Sequence, residues 1–311
     1  MKTVVLDGYP LNPGDLSWEW LSAFGEYEIY DNTKKEEIIS RCKGAEFVLT
    51  NKVPFDKEII DALPALKYIG VTGTGYNVID TEYAAEKGIT VTNVPAYSTD
   101  FVAQHTFALM LEYCNRVAIL NKAVKDGEWA SCRDFTFTKA SLSGLAGKTL
   151  GIIGYGLIGQ YVERIARAFG MNVLIYSRTY KPGFVELDTL LKKADFITLH
   201  IPQTTQTIGL INEETISKMK DGVVIINTAR GAVVNEGDVA SALAGGKIAF
   251  YGADVLSSEP PKEDNPLLKE ENEVLTPHIA WASFEARERL MKVLEENMTS
   301  FVSGNKINTV N

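Results

Sequence analysis

The residues best equipped for chemistry in this chain stand in three short segments. These are Asn227-Thr228-Ala229-Arg230-Gly231, Asp254-Val255-Leu256-Ser257-Ser258-Glu259-Pro260 and Thr276-Pro277-His278-Ile279-Ala280-Trp281. Arg230 offers a planar guanidinium that stays protonated and whose fork matches a carboxylate. His278 offers an imidazole, the side chain whose ordinary pKa lies close enough to neutrality for it to give and take a proton. Glu259 is suited to accept a hydrogen bond from that imidazole, orient it and favour its protonated form. A cation, an acid and a carboxylate that supports the acid are the equipment for protonating an oxygen of a small anionic substrate. Each residue also has an ordinary reading: Arg230 in a surface ion pair, Glu259 solvated, His278 inside a core.

A fourth segment binds rather than reacts. Gly154-Tyr155-Gly156-Leu157-Ile158-Gly159 is a GxGxxG that follows the apolar run Thr149–Ile153 and opens a helical stretch. In that context the three glycines serve different ends. Gly154 makes the tight turn, Gly156 lets backbone approach a pyrophosphate, and Gly159 permits close helix–strand packing. Amides at the helix start then hold the phosphates. The next strand ends at Tyr176-Ser177-Arg178, where an acid would ordinarily bond the adenine ribose. Ser177 and Arg178 stand there instead, with Lys181 close by, which favours the 2′-phosphate of NADPH over NADH. The competing reading is a solvent-facing arginine beside a site that takes NAD.

These segments need elements to position them. Candidate strands are Thr3–Leu6, Glu28–Tyr30, Phe47–Leu49, Tyr68–Val71 and Thr90–Thr92, with polar-apolar stretches such as Lys34–Arg41 and Thr81–Lys87 between them. A stronger series follows at Thr149–Ile153, Val173–Tyr176, Phe196–Leu199, Val223–Asn227, Ile248–Ala253 and Val274–Leu275, with helices at Leu157–Phe169 and Asn235–Ala244. Strands alternating with helices predict parallel sheets, and the reactive segments fall at strand carboxyl ends, where open α/β sheets bind ligands. Between the two series, the stretch from Asp100 to about Lys125 reads as one long helix, too densely apolar for a single buried face. Residues 126–144 read as an irregular arm with exposed aromatic residues. A last helix spans about Phe284–Val302.

The ordered set of GxGxxG, NTARG, DVLSSEP and TPHIAW resembles the D-isomer-specific 2-hydroxyacid dehydrogenases over nearly the whole chain, closest to their glycerate dehydrogenase/hydroxypyruvate reductase branch. The resemblance implies an α/β protein of two Rossmann-like, doubly wound parallel-sheet domains facing across a cleft: residues 1–98 with 284–311 for substrate, and 99–283 for NAD(P). It implies reduction of a small 2-keto acid to its D-2-hydroxy acid, with Arg230, Glu259 and His278 catalytic. It implies a cofactor lying against His200, Ile201, Pro202, Thr207, Thr228, Ala229, Asp254 and Ala280, besides the glycine loop and Ser177 and Arg178. Thr72, Gly73, Thr74 and Trp281 become the substrate-binding choices, the glycine-spaced turn after Tyr68–Val71 being one that can expose amides to an anion. A homodimer built on the long helix and its arm is implied as well. His105, inside that helix, reads as structural.

Composition narrows the alternatives. A net charge of −9 without a dense basic cluster argues against nucleic-acid and anionic-membrane partners. No apolar run approaches the ~18–20 residues that span a bilayer. Cys42, Cys114 and Cys132 form neither a CxxC nor a Cys/His metal pattern, so no metal is expected and a reducing, cytoplasmic setting is. The first residues read as a strand, not a signal peptide. A cofactor-sensing corepressor-like scaffold would keep the Arg/Glu/His set, but the acidic balance and the lack of a disordered tail weigh against it. Formate dehydrogenase chemistry would pair the histidine with Gln, where Glu259 stands. D-lactate and 3-phosphoglycerate remain other substrate readings.

Overall fold

A computed structural model describes all 311 residues. The chain divides into two compact units, Met1–Ser98 with Ala282–Asn311, and Thr99–Trp281.

In the first unit, runs rich in Val, Ile, Leu and Phe make five strands: β1 (Lys2–Val5), β2 (Glu26–Ile29), β3 (Phe47–Thr50), β4 (Tyr68–Val71) and β5 (Thr90–Thr92). All pair in parallel, in the order β2-β1-β3-β4-β5. Val4, Val48, Leu49, Ile69, Val71 and Val91 are fully buried, as strands covered on both faces require. Short helices α1 (Ile38–Arg41), α2 (Lys57–Asp61) and α3 (Thr81–Glu86) connect them. The α2 and α3 starts are fixed by Asp56 and Asp80, whose carboxylates accept from the Ile59 and Tyr83 amides. The polar-apolar stretch Lys34–Arg41 is a 3₁₀ turn, Lys35–Glu37, that runs into α1.

In the second unit, the region expected as one helix from Asp100 to Lys125 is two: α4 (Thr99–Asn115) and α5 (Val117–Lys125). Arg116 breaks it, with φ +51, and its guanidinium lies over the Tyr113 and Phe250 rings at 5.3 and 5.5 Å. Helix periodicity carries no mark of such a left-handed residue, because the tertiary ring contacts hold it there. The arm after α5 has no regular element, and Phe135 on it is 89% exposed.

Six parallel strands follow: β6 (Thr149–Ile153), β7 (Asn172–Tyr176), β8 (Phe196–Leu199), β9 (Val223–Asn227), β10 (Ile248–Ala253) and β11 (Glu273–Leu275). Helices α6 (Leu157–Ala168), α7 (Leu187–Lys193), α8 (Glu213–Ser217) and α9 (Glu236–Ala244) alternate with them, and α10 (Phe284–Val302) belongs to the first unit. Strand order is β11-β10-β9-β8-β6-β7. Each sheet therefore reverses its winding once, between β1 and β3 in one and between β6 and β8 in the other. Such switch points are where open α/β sheets bind ligands, beyond the strand carboxyl ends. No helix is long and apolar enough to cross a membrane.

Candidate active site

The second unit places the three reactive segments at the ends of β9, β10 and β11. His278 Nδ1 lies 2.7 Å from Glu259 Oε2, and both side chains are partly open to solvent. The Leu256 amide donates to the other Glu259 oxygen at 3.3 Å. With Nδ1 engaged by the carboxylate, Nε2 is the ring nitrogen left for a ligand. Glu236 holds the loop that carries Glu259: its carboxylate accepts from Ser257 N (2.6 Å), Ser257 Oγ (2.8 Å) and Asn265 Nδ2 (2.9 Å). Sequence reasoning missed Glu236, because an acid in the first turn of a helix already has a reason to be there.

His278 itself has φ +54, a conformation uncommon outside glycine. Asp254 fixes the turn. Its carboxylate accepts from Thr276 Oγ1 (2.5 Å), the Ile279 amide (2.9 Å) and the Ala280 amide (2.7 Å), while its carbonyl accepts from the His278 amide at 2.9 Å. Asp254 is 1% exposed. Its oxygens shape the histidine turn. Thr207 closes its own turn, its hydroxyl donating to the Pro202 carbonyl at 2.7 Å and accepting from the Thr204 amide at 2.8 Å. Ala229 and Ala280 are buried as well, and Thr228 bonds Thr106 Oγ1 at 3.0 Å.

Arg230 is exposed, bonds only the Ala229 carbonyl through Nη1 (2.6 Å), and pairs with no carboxylate of the chain. Asn227 holds its turn, accepting from the Ala229 amide (3.0 Å) and donating to the Arg230 carbonyl (3.1 Å). A Cβ on Gly231 would lie 1.9 Å from the Leu256 carbonyl carbon, so the arginine turn and the Glu259 loop meet backbone to backbone.

The glycine loop occupies the switch point between β6 and β8. Gly154 has φ +98, and a Cβ there would lie 2.3 Å from the His200 carbonyl oxygen; one on Gly159 would lie 2.3 Å from the Gly154 oxygen. Gly156, by contrast, faces open space and is the N-cap of α6 without any side-chain cap. The first amides of α6 thus lack intrahelical acceptors. Tyr155 is turned away onto Glu163 and the Phe184 ring, and Leu157 is exposed. Across the switch point, both ring nitrogens of His200 are covered yet have no partner, and burial pushes its pKa down to about 3. Ile201 and Pro202 continue that edge. A bare glycine cradle, uncapped helix amides and an orphaned buried imidazole suit a dinucleotide with its pyrophosphate on α6. Ser177 is half-buried; Arg178 and Lys181 are exposed and unpaired.

The first unit holds a separate turn after β4. Asn51 Nδ2 donates to the Thr72 carbonyl (2.9 Å), the Val94 amide to the Gly73 carbonyl (2.9 Å) and Asn93 Nδ2 to the Thr74 carbonyl (2.8 Å). With these carbonyls tied to the protein, the amides of Gly73, Thr74 and Gly75 are left without an acceptor in the chain, as an anion would require. Asp7 braces Asn51, accepting from the Asn51 and Lys52 amides at 2.7 and 2.6 Å. Burial outweighs those amides and raises the Asp7 carboxyl above its usual range. Trp281 is half-buried at the point where the chain leaves the second unit.

Two parallel sheets with switch points, a dinucleotide loop and an Arg/Glu/His constellation define a nicotinamide-dependent oxidoreductase. The chain matches the family described as D-isomer specific 2-hydroxyacid dehydrogenase, NAD binding domain, over residues 107–280. It is 48% identical to a hydroxypyruvate reductase of Blautia hydrogenotrophica over 100% of both chains. It is 40% identical to a glycerate dehydrogenase of Methylorubrum extorquens over 92% of each. Among solved structures it aligns with an acyclic imino acid reductase (Bsp5) in complex with NADPH and D-Arg at TM-score 0.86 and 32% identity, covering 100% of both. The chain belongs to the D-isomer specific 2-hydroxyacid dehydrogenase family.

Proposed function

We propose that this dehydrogenase reduces hydroxypyruvate to D-glycerate, or glyoxylate to glycolate, with NADPH favoured over NADH. The observation that carries the reading is Arg230, a guanidinium without an internal carboxylate, on a turn packed against the loop of the Glu259–His278 pair. Arg230 binds the substrate carboxylate through its fork. His278 gives the proton on Nε2 to the carbonyl oxygen, and Glu259 holds the ring through Nδ1 and stabilises the imidazolium. The nicotinamide, when bound, supplies the hydride that goes to the carbonyl carbon. In the first unit, the turn of Thr72, Gly73 and Thr74 is assigned to substrate through its unpaired amides, and Trp281 is also assigned to substrate. The first unit is thus the substrate domain and the second the NAD(P) domain.

Gly154 to Gly159, His200, Ile201 and Pro202 hold the cofactor, with Ser177, Arg178 and Lys181 around the adenosine 2′-position. The missing ribose-binding acid supports NADPH, as does the NADPH complex of the imino acid reductase. A homodimer is proposed through α4, α5 and the arm, where Val117, Trp129, Phe135 and Leu142 are exposed. The cytoplasm suits the three free thiols, of which Cys42 is pushed up to about 12 by burial and is inert.

Substrate choice rests on the turn after β3. Thr50 spends its hydroxyl on the Val53 carbonyl at 3.1 Å and Asn51 its amide on Thr72. Only Lys52 remains there to meet a phosphate, without the bidentate contact that phosphate recognition favours. Names of the relatives, hydroxypyruvate reductase and glycerate dehydrogenase, support the same choice. The test is kcat/KM for hydroxypyruvate, glyoxylate and 3-phosphohydroxypyruvate at equal ionic strength. Losing one charge-assisted contact predicts a roughly ten- to a hundred-fold deficit for the phosphorylated compound. A higher value for it overturns the assignment.

A further inference from the structure

Behind the catalytic turn lies a histidine that proton transfer does not use. His105, in α4, places Nε2 2.9 Å from Thr276 Oγ1 and 3.6 Å from Asp254 Oδ1. The Thr276 hydroxyl has one hydrogen, and it lies 2.5 Å from Asp254 Oδ1. A carboxylate oxygen can only accept, so the hydroxyl donates to Asp254 and accepts from His105. Nε2 of His105 therefore carries the hydrogen. Burial holds its pKa below the ordinary range, against the opposing pull of Asp254, so the ring is neutral and its tautomer is set by this bond.

The chain of bonds leads to the active turn. The same Asp254 carboxylate that takes the Thr276 hydroxyl also takes the Ile279 and Ala280 amides, one and two residues beyond His278. His278 needs such bracing, because a left-handed non-glycine residue persists only where its surroundings over-determine it. We propose that His105 is a positioning residue for the reaction: its Nε2–H orients the Thr276 hydroxyl onto Asp254, and Asp254 then aims the turn that presents His278 to substrate. This rests on the reading of His278 as the acid.

The test uses the full-length enzyme with NADPH and hydroxypyruvate or glyoxylate, in four variants: His105→Leu, His105→Gln, Thr276→Val and the double His105→Leu/Thr276→Val. Small misplacements of a catalytic group are costly, so His105→Leu is expected to lower kcat about tenfold while KM and the NADPH Kd move less than about twofold. Glutamine keeps an amide N–H near the position of Nε2, and His105→Gln recovers most of the loss. Thr276→Val loses about as much as His105→Leu, and the double variant loses no more than Thr276→Val alone, because one pathway is cut twice. Wild-type kcat in His105→Leu, no recovery by glutamine, or additive losses each overturn the proposal. If His105→Leu does not fold, Thr276→Val decides, and an unchanged kcat there is equally fatal. A His278→Ala variant that keeps its activity sinks the acid assignment instead, so the two failures are distinguishable.

Discussion

At the scale of residues, the chemistry depends on what each polar group is already bonded to. His278 gives Nδ1 to Glu259 and leaves Nε2 without a partner in the chain, whereas His200 has both nitrogens covered and His105 is committed to Thr276. Only His278 combines solvent access with a carboxylate partner. His278→Ala is accordingly expected to lose about 10²–10⁴ in kcat, with NADPH affinity from fluorescence titration nearly unchanged. Glu259→Gln keeps a hydrogen-bond acceptor but removes the charge that favours the imidazolium. Keto-acid reduction should slow in kcat while NADPH affinity holds, and an unchanged kcat would remove Glu259 from its role.

Elements hold these residues through close backbone approaches. The arginine turn and the Glu259 loop meet at Gly231, where a side chain would collide with the Leu256 peptide. Backbone cannot retreat as a flexible side chain can, so Gly231→Ala should cost at least the ~1–3 kcal/mol of ordinary overpacking. The denaturant midpoint measures that cost, and kcat should fall with it as Arg230 and Glu259 are moved apart. The residues after β7 make a different kind of prediction, because Ser177 is only half-buried and Arg178 is exposed. Ser177→Asp with Arg178→Ala adds a ribose acceptor and removes a phosphate donor, so the ratio of kcat/KM for NADPH to that for NADH should fall. A wild-type enzyme that already prefers NADH strongly defeats the cofactor reading before any mutation.

For the whole molecule, the exposed apolar residues that follow α4 are the feature without an internal explanation. Phe135 is 89% and Trp129 52% exposed, on an arm without a regular element. Exposed aromatic residues of this kind are what the proposed dimer would cover. Sedimentation should give about twice the 34.2 kDa chain mass, and Trp129→Ser with Phe135→Ser should shift the boundary toward the single chain. A wild-type boundary at the single-chain mass would contradict the dimer.

The sequence alone determined the parallel sheets, nearly every strand, the dinucleotide loop and the catalytic Arg/Glu/His candidates. Those features are local: period and apolar density fix strands, glycine spacing fixes the phosphate loop, and residue chemistry limits who can act as acid or cation. Tertiary structure decided what local pattern cannot encode. The break at Arg116 depends on the Tyr113 and Phe250 rings, and Phe250 is distant in sequence. Asp254 was legible as a polar residue at a strand end, but whether it faces a ligand or the His278 turn depends on amides that fold against it. The same holds for Glu236, Asn51 and Asn93, each bonded to a loop far along the chain. A side chain's chemistry is written in its type, whereas its partner is set only when the chain closes and buried polar groups must each find a bond.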